Sequence, residues 1–351
     1  MLATLKDYLP KATFAAISLL GLSLAPAQSA EQSAYPLKIN NCGRVLEFQK
    51  APESVVSVGQ NSTEILYLLG LGDKIKGTAL WFQPVMTEFK EQNDKVERLS
   101  NDVPSYEAII SKKPDLIANQ FEWVIGPVGA AAGYDQFEEI NIPVYTSPAD
   151  CESKDNLAGS DGLRSKPFNM TMIYQEIDDL ARIFNVEPRG QKLIAELKDR
   201  EQAAISRIKA LPPQKLSGFM WYSSPAMEME PYVAGQLGAP GYMFKTLGID
   251  NIIKSDFDWP NVGWETIVKA DPSIIVIAKM QRRRFPADDI KVKEEFLQND
   301  PVASLMSAAK QHHIIELDVQ AMNGTIHTIK GIEALADAIS KMNITASNLK
   351  E

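Results

Sequence analysis

Three consecutive arginines, Arg282-Arg283-Arg284, stand out in a chain of 351 residues whose formal net charge is −9. A guanidinium offers a planar fork of donors that holds a carboxylate or phosphate bidentately and also stacks on aromatic rings. In an acidic protein such a cluster suits capture of an anion, an anionic metal chelate included. The plainer alternative is a solvated turn whose charges are paired by Asp288 and Asp289. Aromatic side chains supply the other half of a binding chemistry, because large rigid rings give contact area to a bulky or flat ligand. Trp81 and Phe82, Phe121 and Trp123, Trp221 and Tyr222, and Trp259 are placed in loops beyond strand-like segments, and four of the five tryptophans fall in this set. Gln60 and Asn61, Met280, and Met322-Asn323 take similar places and complete the candidate contacts. The alternative for each Trp is packing against its own part of the fold.

Catalysis finds less support. The chain has no Gly-x-Ser-x-Gly elbow, no phosphate-cradling glycine loop and no cysteine suited to nucleophilic work. Asp178-Asp179 and Asp288-Asp289 are neighbouring acids of the kind found on solvated faces. His312, His313 and His327 are the only histidines. Two of them lead a strand, where successive side chains point to opposite faces, so a three-His metal pocket is not expected. Met227 and Met229 are soft donors on a loop and make a weak case for a soft-metal site. No enzyme, resident metal or cofactor is expected. The acidic balance also argues against nucleic acid and anionic membrane surfaces as partners.

Two acids recur at matching places. Residues 106–117 and 264–275 both read aromatic, Glu, an apolar pair, then Pro seven residues after the Glu and a strand-like run. At roughly 100° per residue, Tyr106, Ile109 and Ile110 share one helical face, as do Trp264, Ile267 and Val268. Glu107 and Glu265 lie off that stripe at the helix start, where a carboxylate suits the dipole. The Pro is expected to end each short helix. Leu69-Gly70-Leu71 is echoed by Leu247-Gly248-Ile249 in the same order, so the chain reads as two related lobes. The spacing between copies implies an insertion in the first half, placed at Val124 to about Lys166.

The elements that position these groups alternate between strands and helices. Pro36 to Phe48 reads as a hairpin around Asn41-Cys42-Gly43-Arg44, and Val55–Val58 as a strand leading into a turn that caps a helix at Ser62. Leu116–Ala118, Ile142–Tyr145, Leu216–Trp221, Ile274–Ile277 and His313–Leu317 read as further strands of parallel α/β units. Residues 168–210 carry a dense helical period, restarted by Pro188 and stopped by Pro212-Pro213. Lys6 and Lys11 before an apolar run Ala12–Leu24, then Ala25-Pro26-Ala27, form the pattern of a cleavable export signal over 1–27. A non-cleaved anchor is the alternative, and no Cys follows the run to carry a lipid. Cys42 and Cys151 are the only cysteines, and in an oxidising compartment an even pair is most simply a disulfide, two buried thiols being the alternative. The expected domains are an N-terminal lobe at 28–167, a helical connector at 168–211 and a C-terminal lobe at 212–351.

The ordered set of Val55–Val58 with Ser62–Leu66, Leu69–Asp73, Glu107–Ile117 and Trp264–Ile277 resembles the substrate-binding proteins of bacterial ABC importers for iron–siderophores and cobalamin. The resemblance runs from about Leu37 to Asn343. It implies an α/β fold of two Rossmann-like lobes with mostly parallel central sheets, a long rigid helix joining them and a ligand cleft between. It also implies a periplasmic, monomeric protein that hands its ligand to a permease dimer in the inner membrane. One surface Glu per lobe docks on that permease, a role that falls to Glu107 and Glu265. The ligand expected is a ferric siderophore. Cobalamin or haem on the same fold is the runner-up, a chelatase-like enzyme is the rival class, and a sensor working without an importer is a third.

Overall fold

The computed structural model describes residues 33–158, 162–213 and 215–342. The expected export signal at 1–27 lies outside them. Leu37–Asn41 and Arg44–Phe48 pair antiparallel, and Leu37, Ile39, Leu46 and Phe48 are buried in alternation, as the period of a strand requires. This hairpin clasps a later segment. The Asn41 amide accepts from the Thr146 N–H at 2.8 Å and donates to the Thr146 carbonyl at 2.7 Å. Arg44 donates to the Val144 carbonyl at 2.8 Å and lies 3.5 Å from the Tyr134 ring centre. Cys42 and Cys151 form a disulfide with Cα atoms 5.5 Å apart.

Two five-stranded sheets follow. In the first, Arg98–Ser100, Ile75–Ala79, Val55–Val58, Leu116–Asn119 and Val144–Thr146 lie side by side, all parallel. In the second, Leu216–Ser223 pairs parallel with Ile249–Asn251 and with Ile274–Lys279, which pairs in turn with Ile314–Asp318. Tyr232–Val233 adds an antiparallel edge. In each sheet the chain fills one side of its first long strand and then crosses to the other. That reversal opens a crevice beyond the strand ends, between Val55–Val58 and Leu116–Asn119 in one lobe and between Leu216–Ser223 and Ile274–Lys279 in the other.

The central strands of both sheets are covered on both faces, so their successive residues enter different cores. Val55, Leu116, Met220 and Val276 belong to one apolar cluster that runs through both lobes. Val56, Val58 and Ile117 face a second cluster, and Phe219, Trp221, Ile275 and Ile277 a third. The expected helical segment divides into Thr171–Ile183 and Glu187–Lys209, with Pro188 in the first turn of the second, where its missing N–H costs nothing. Glu187–Lys209 has 23 residues and is about 34 Å long. It packs on Thr171–Ile183 and on the closing helix His327–Lys341. Arg200 grips Glu333 with two hydrogen bonds of 2.9 and 2.6 Å, holding that carboxyl below the usual range, and Arg207 pairs with Asp337 at 2.9 Å.

The internal repeat extends to the backbone. Gly70 and Gly248 take left-handed φ of 70° and 72° after their helices, and Lys113 and Asp271, each just before the repeat's Pro, take 48° and 44°. The short helices Tyr106–Ile110 and Trp264–Ala270 therefore stop before the Pro. The segment from Val124 to Lys166 is not all insertion, because Val144–Thr146 is a strand of the first sheet. The same segment also holds the short helices Tyr134–Glu138 and Pro148–Cys151 and a small hairpin, Lys154–Asp155 with Leu163–Arg164.

One expectation fails at the first helix. Its cap is Gly59 and it begins at Gln60, two residues ahead of Ser62. Gly59 holds φ at 120°, and a Cβ there would meet the Gln120 Cβ at 2.2 Å. The cap acceptor comes from a distant residue, since Gln120 Oε1 accepts the Asn61 N–H at 2.9 Å. Beneath this turn Glu176 is fully buried and accepts from Asn61 Nδ2 at 3.1 Å, Ser62 Oγ at 2.8 Å and Ser147 Oγ at 2.5 Å. Burial pushes its carboxyl up to about 7, against the pull of those hydrogen bonds. A raised carboxyl pKa means that the native state holds the proton more tightly than the unfolded chain does. The resulting stabilisation is complete below the unfolded value and is lost as pH rises through about 7. Glu176→Gln should therefore flatten the fall in stability between pH 5 and 8, a fall on the order of 3 kcal/mol in the wild type. Denaturant midpoints across that range test this. A variant whose pH profile matches the wild type would contradict it.

Candidate functional site

The two crevices face one another, and the lobes meet along a buried polar base. Gln60 Oε1 accepts from Gln320 Nε2 at 3.1 Å, Asn61 Oδ1 accepts from the Ile326 N–H at 2.9 Å, and Glu64 Oε2 lies 2.5 Å from His327 Nε2. Gln60 and Asn61 are 1% and 0% exposed. They build the joint between lobes instead of the ligand wall expected of them. The reason is that they sit in the first helix, which begins two residues early, so their amides turn inward.

Above this base lies a cleft with two connected compartments. The outer one has a volume of about 350 Å3 and is walled by Phe82, Phe121, Trp123, Tyr222, Tyr232, Trp259, Met280, Arg282, Arg284 and Phe285, with Ser223, Asp288, Val319 and Asn323. The inner one holds about 270 Å3 and shares Phe121, Trp123, Trp259 and Asn323 with it. The rings are mutually packed: Phe82 and Phe121 meet edge to face at 6.3 Å, and Tyr222 and Trp259 lie 4.6 Å apart. Trp123 remains 42% exposed, leaving a wide apolar face open to a ligand.

Arg282 and Arg284 reach across the mouth of the outer compartment to Asp102 of the first lobe. Asp102 Oδ1 accepts at 2.5 Å from Arg282 and 2.8 Å from Arg284, whose second bond to Oδ2 is 3.0 Å. Burial alone raises the Asp102 carboxyl, and the two guanidiniums outweigh it and hold the group below its ordinary range. Two cations share this carboxylate, and Asp288 on the same wall accepts from the Arg284 and Phe285 N–H groups at 2.6 and 2.9 Å. The Arg282 guanidinium also lies 5.2 Å from the Phe82 ring centre. Beside them Gln83 bridges the lobes, donating to the Lys279 carbonyl at 3.0 Å and to Asp318 at 3.2 Å and accepting from the Gln281 N–H at 3.0 Å.

The inner compartment ends in charges that sequence reasoning missed. Lys154 donates to Asp150 at 2.6 Å and lies 3.8 Å from Asp258, and Arg164 Nε donates to Asp258 at 2.8 Å. Their side chains are 4–12% exposed. The small hairpin brings them there. Leu163 forms an antiparallel bridge to Phe257, so an element of the first lobe is stitched to the second beside the cleft. Asp150, Lys154, Arg164 and Asp258 come from three short segments, and no periodic pattern links them.

Several expected contacts belong elsewhere. Trp221 is 0% exposed and lies inside a strand, where alternation turns it to the outer core against Trp264 at 4.8 Å and Phe296 at 5.7 Å. Its neighbour Tyr222 faces the cleft. Trp81 is buried with its N–H 3.3 Å from Thr78 Oγ1 and the Arg98 guanidinium 4.3 Å from its ring. Arg283 turns away and pairs with Asp289 at 2.5 Å. Met229 is exposed and Met227 packs against the outer core, neither on the cleft wall. Met322 and Asn323 line the inner compartment.

Glu107 and Glu265 are the second residues of their short helices, and both are exposed. Ser105 caps the first by accepting from the Ala108 N–H at 3.1 Å, and Gly263 caps the second. Ile109 and Ile267, each 0% exposed, anchor the two helices in corresponding cores. Among the described residues neither acid has an ion-pair partner. Among the described residues no helix is long and apolar enough to cross a membrane.

Comparison with known proteins agrees with this geometry. A family model described as periplasmic binding protein matches residues 55–321. An uncharacterised ABC transporter substrate-binding lipoprotein of Bacillus subtilis is 22% identical over 338 residues, covering 93% of this chain and 96% of its own length. A vitamin B12-binding protein of Vibrio campbellii is 27% identical over 229 residues, 65% of this chain and 71% of that protein. The crystal structure of an ABC-type Fe3+-hydroxamate transport system from Saccharomonospora viridis superposes with a TM-score of 0.68 at 20% identity, over 87% of this chain and 99% of that one. At such identity the likeness carries the fold.

Proposed function

Because this chain belongs to the periplasmic binding protein family, whose members are transport proteins, we propose that it captures a ferric siderophore in the cleft between its lobes and delivers it to an ABC importer. Substrate-binding proteins of this kind work with a membrane permease, and the relatives imply export from the cytoplasm. The observation that carries the ligand reading is the outer compartment, where Arg282 and Arg284 share one carboxylate at the edge of an aromatic wall. Guanidinium donors suit the oxygens of an anionic chelate, and the rings suit its bulk. Glu107 and Glu265 are the contacts proposed for the permease, one on each lobe. The lobes proposed are 28–167 and 212–351 joined by 168–211, in a monomer released by cleavage after 1–27.

Cobalamin is the second reading. It is favoured by the aromatic wall, which serves a largely uncharged corrin as well as a siderophore, and by the relatives named as vitamin B12-binding proteins. Intrinsic tryptophan fluorescence, titrated with ferric hydroxamate, catecholate and citrate chelates, haem and cobalamin, separates the two. A ferric chelate should quench to saturation at one-to-one stoichiometry. Saturation by cobalamin alone would select the second reading and sink the first.

A further inference from the structure

The inner compartment has more hydrogen-bond donors than its own acceptors use. Both oxygens of Asp150 are engaged, one by Lys154 at 2.6 Å and one by the Glu122 N–H at 2.8 Å. Asp258 Oδ1 is taken by Arg164 Nε at 2.8 Å. Lys154 carries three N–H groups and spends one on Asp150, its approach to Asp258 being an ion pair at 3.8 Å. Arg164 carries five, and with Nε on Asp258 and Nη2 on the Ala149 carbonyl at 2.9 Å its Nη1 has no hydrogen-bond partner, although the residue is only 5% exposed. An unpaired donor at that depth is costly, and its usual complement is a ligand or water oxygen. The Glu122 carboxylate accepts from the lining Asn156 amide at 2.9 Å, so two cations stand beside three anions and an incoming anion is held by the spare donors, not by an excess of positive charge.

We propose that the inner compartment is a subsite for a carboxylate arm of the ligand, held by Lys154 and Arg164. Two cations with spare donors offer one partner to each oxygen of a carboxylate. Trp123 and Trp259 stand at the passage between compartments, so the arm enters past rings that grip the body of the chelate outside. Lys154 and Arg164 come from the first lobe and pair with Asp258 of the second, so the subsite sits on a direct contact between the lobes. The proposal rests on reading the cleft as the chelate site.

The test uses the full mature chain and two probes, ferric citrate and a neutral ferric trihydroxamate. Lys154→Met combined with Asp150→Asn removes one cation and one anion together, so the charge balance survives, and the Asn amide oxygen still accepts the Glu122 N–H. Affinity for ferric citrate should fall about tenfold, while that for the neutral chelate stays unchanged. Arg164→Lys, which keeps the charge and removes the fork, should give the same selective loss. Equal losses for both probes, with a lowered melting temperature, would assign these residues to structure alone and overturn the subsite. Unchanged binding of ferric citrate by both variants would overturn it as well while leaving the cleft reading intact. Wild-type protein that binds neither probe would contradict the cleft reading itself, and the subsite with it.

Discussion

Replacing both Glu107 and Glu265 by arginine is expected to abolish uptake in cells while the purified protein binds its ligand as before. Each acid is exposed and sits at the N-terminus of a helix anchored by a buried isoleucine. Reversing a charge there removes a favourable dipole interaction and adds an unfavourable one, about 0.3–1 kcal/mol each. That is small against the 5–15 kcal/mol typical of a folded protein, so the lobes stand. Neither residue lies on the cleft wall. In the proposed docking, where each acid would meet a cation of the permease, each reversal turns an attraction into a like-charge contact costing several kcal/mol, which is roughly a hundredfold or more in affinity. Single variants should transport at intermediate rates, because one lobe still docks. Uptake by the double variant at the wild-type rate, measured with radiolabelled chelate in cells lacking the native copy, would remove the docking role from both acids.

Loss of the Cys42–Cys151 bridge is the second large effect. The bridge closes a loop of 109 residues, and the chain-entropy model assigns such a closure about 4–5 kcal/mol. Cys42→Ser with Cys151→Ser should lower the melting temperature by on the order of 10 °C. The loss should reach the cleft too. Cys151 ends the helix Pro148–Cys151, next to Asp150 and three residues before Lys154, and the hairpin around Cys42 also binds Thr146 and Val144. The bridge therefore braces the segment that carries Asp150 and Lys154. Thermal denaturation of the wild type with and without reductant makes the same comparison without mutation. Equal melting temperatures in both conditions would show that the covalent link adds nothing to the hydrogen bonds around it.

The sequence conveyed the scaffold better than the site, for physical reasons. Strands covered on both faces are continuously apolar, so Val55–Val58, Leu116–Asn119 and Ile274–Lys279 were readable as parallel α/β elements. The repeat was readable because the same apolar spacing packs each short helix, and even the left-handed residues before its Pro correspond. Trp221 went astray by one position, since alternation decides which of Trp221 and Tyr222 enters the cleft and composition does not record the phase. Gln60 and Asn61 went astray because the first helix is capped from Gln120, a residue 59 positions away from Asn61. Asp102 and Gln83 were invisible because their partners lie in the other lobe. The charges of the inner compartment were invisible for the same reason, Arg164 and Asp258 being 94 positions apart.

The central claim is that a metal chelate occupies the cleft between the lobes against Trp123 and Trp259. The most direct measurement is the fluorescence titration with ferric chelates, run on the wild type beside Trp259→Ala. The account predicts saturable one-to-one binding by the wild type and at least tenfold weaker binding when the Trp259 ring is removed, with the melting temperature little changed. Absence of saturable binding by any ferric chelate, or equal affinity with and without that ring, would contradict it.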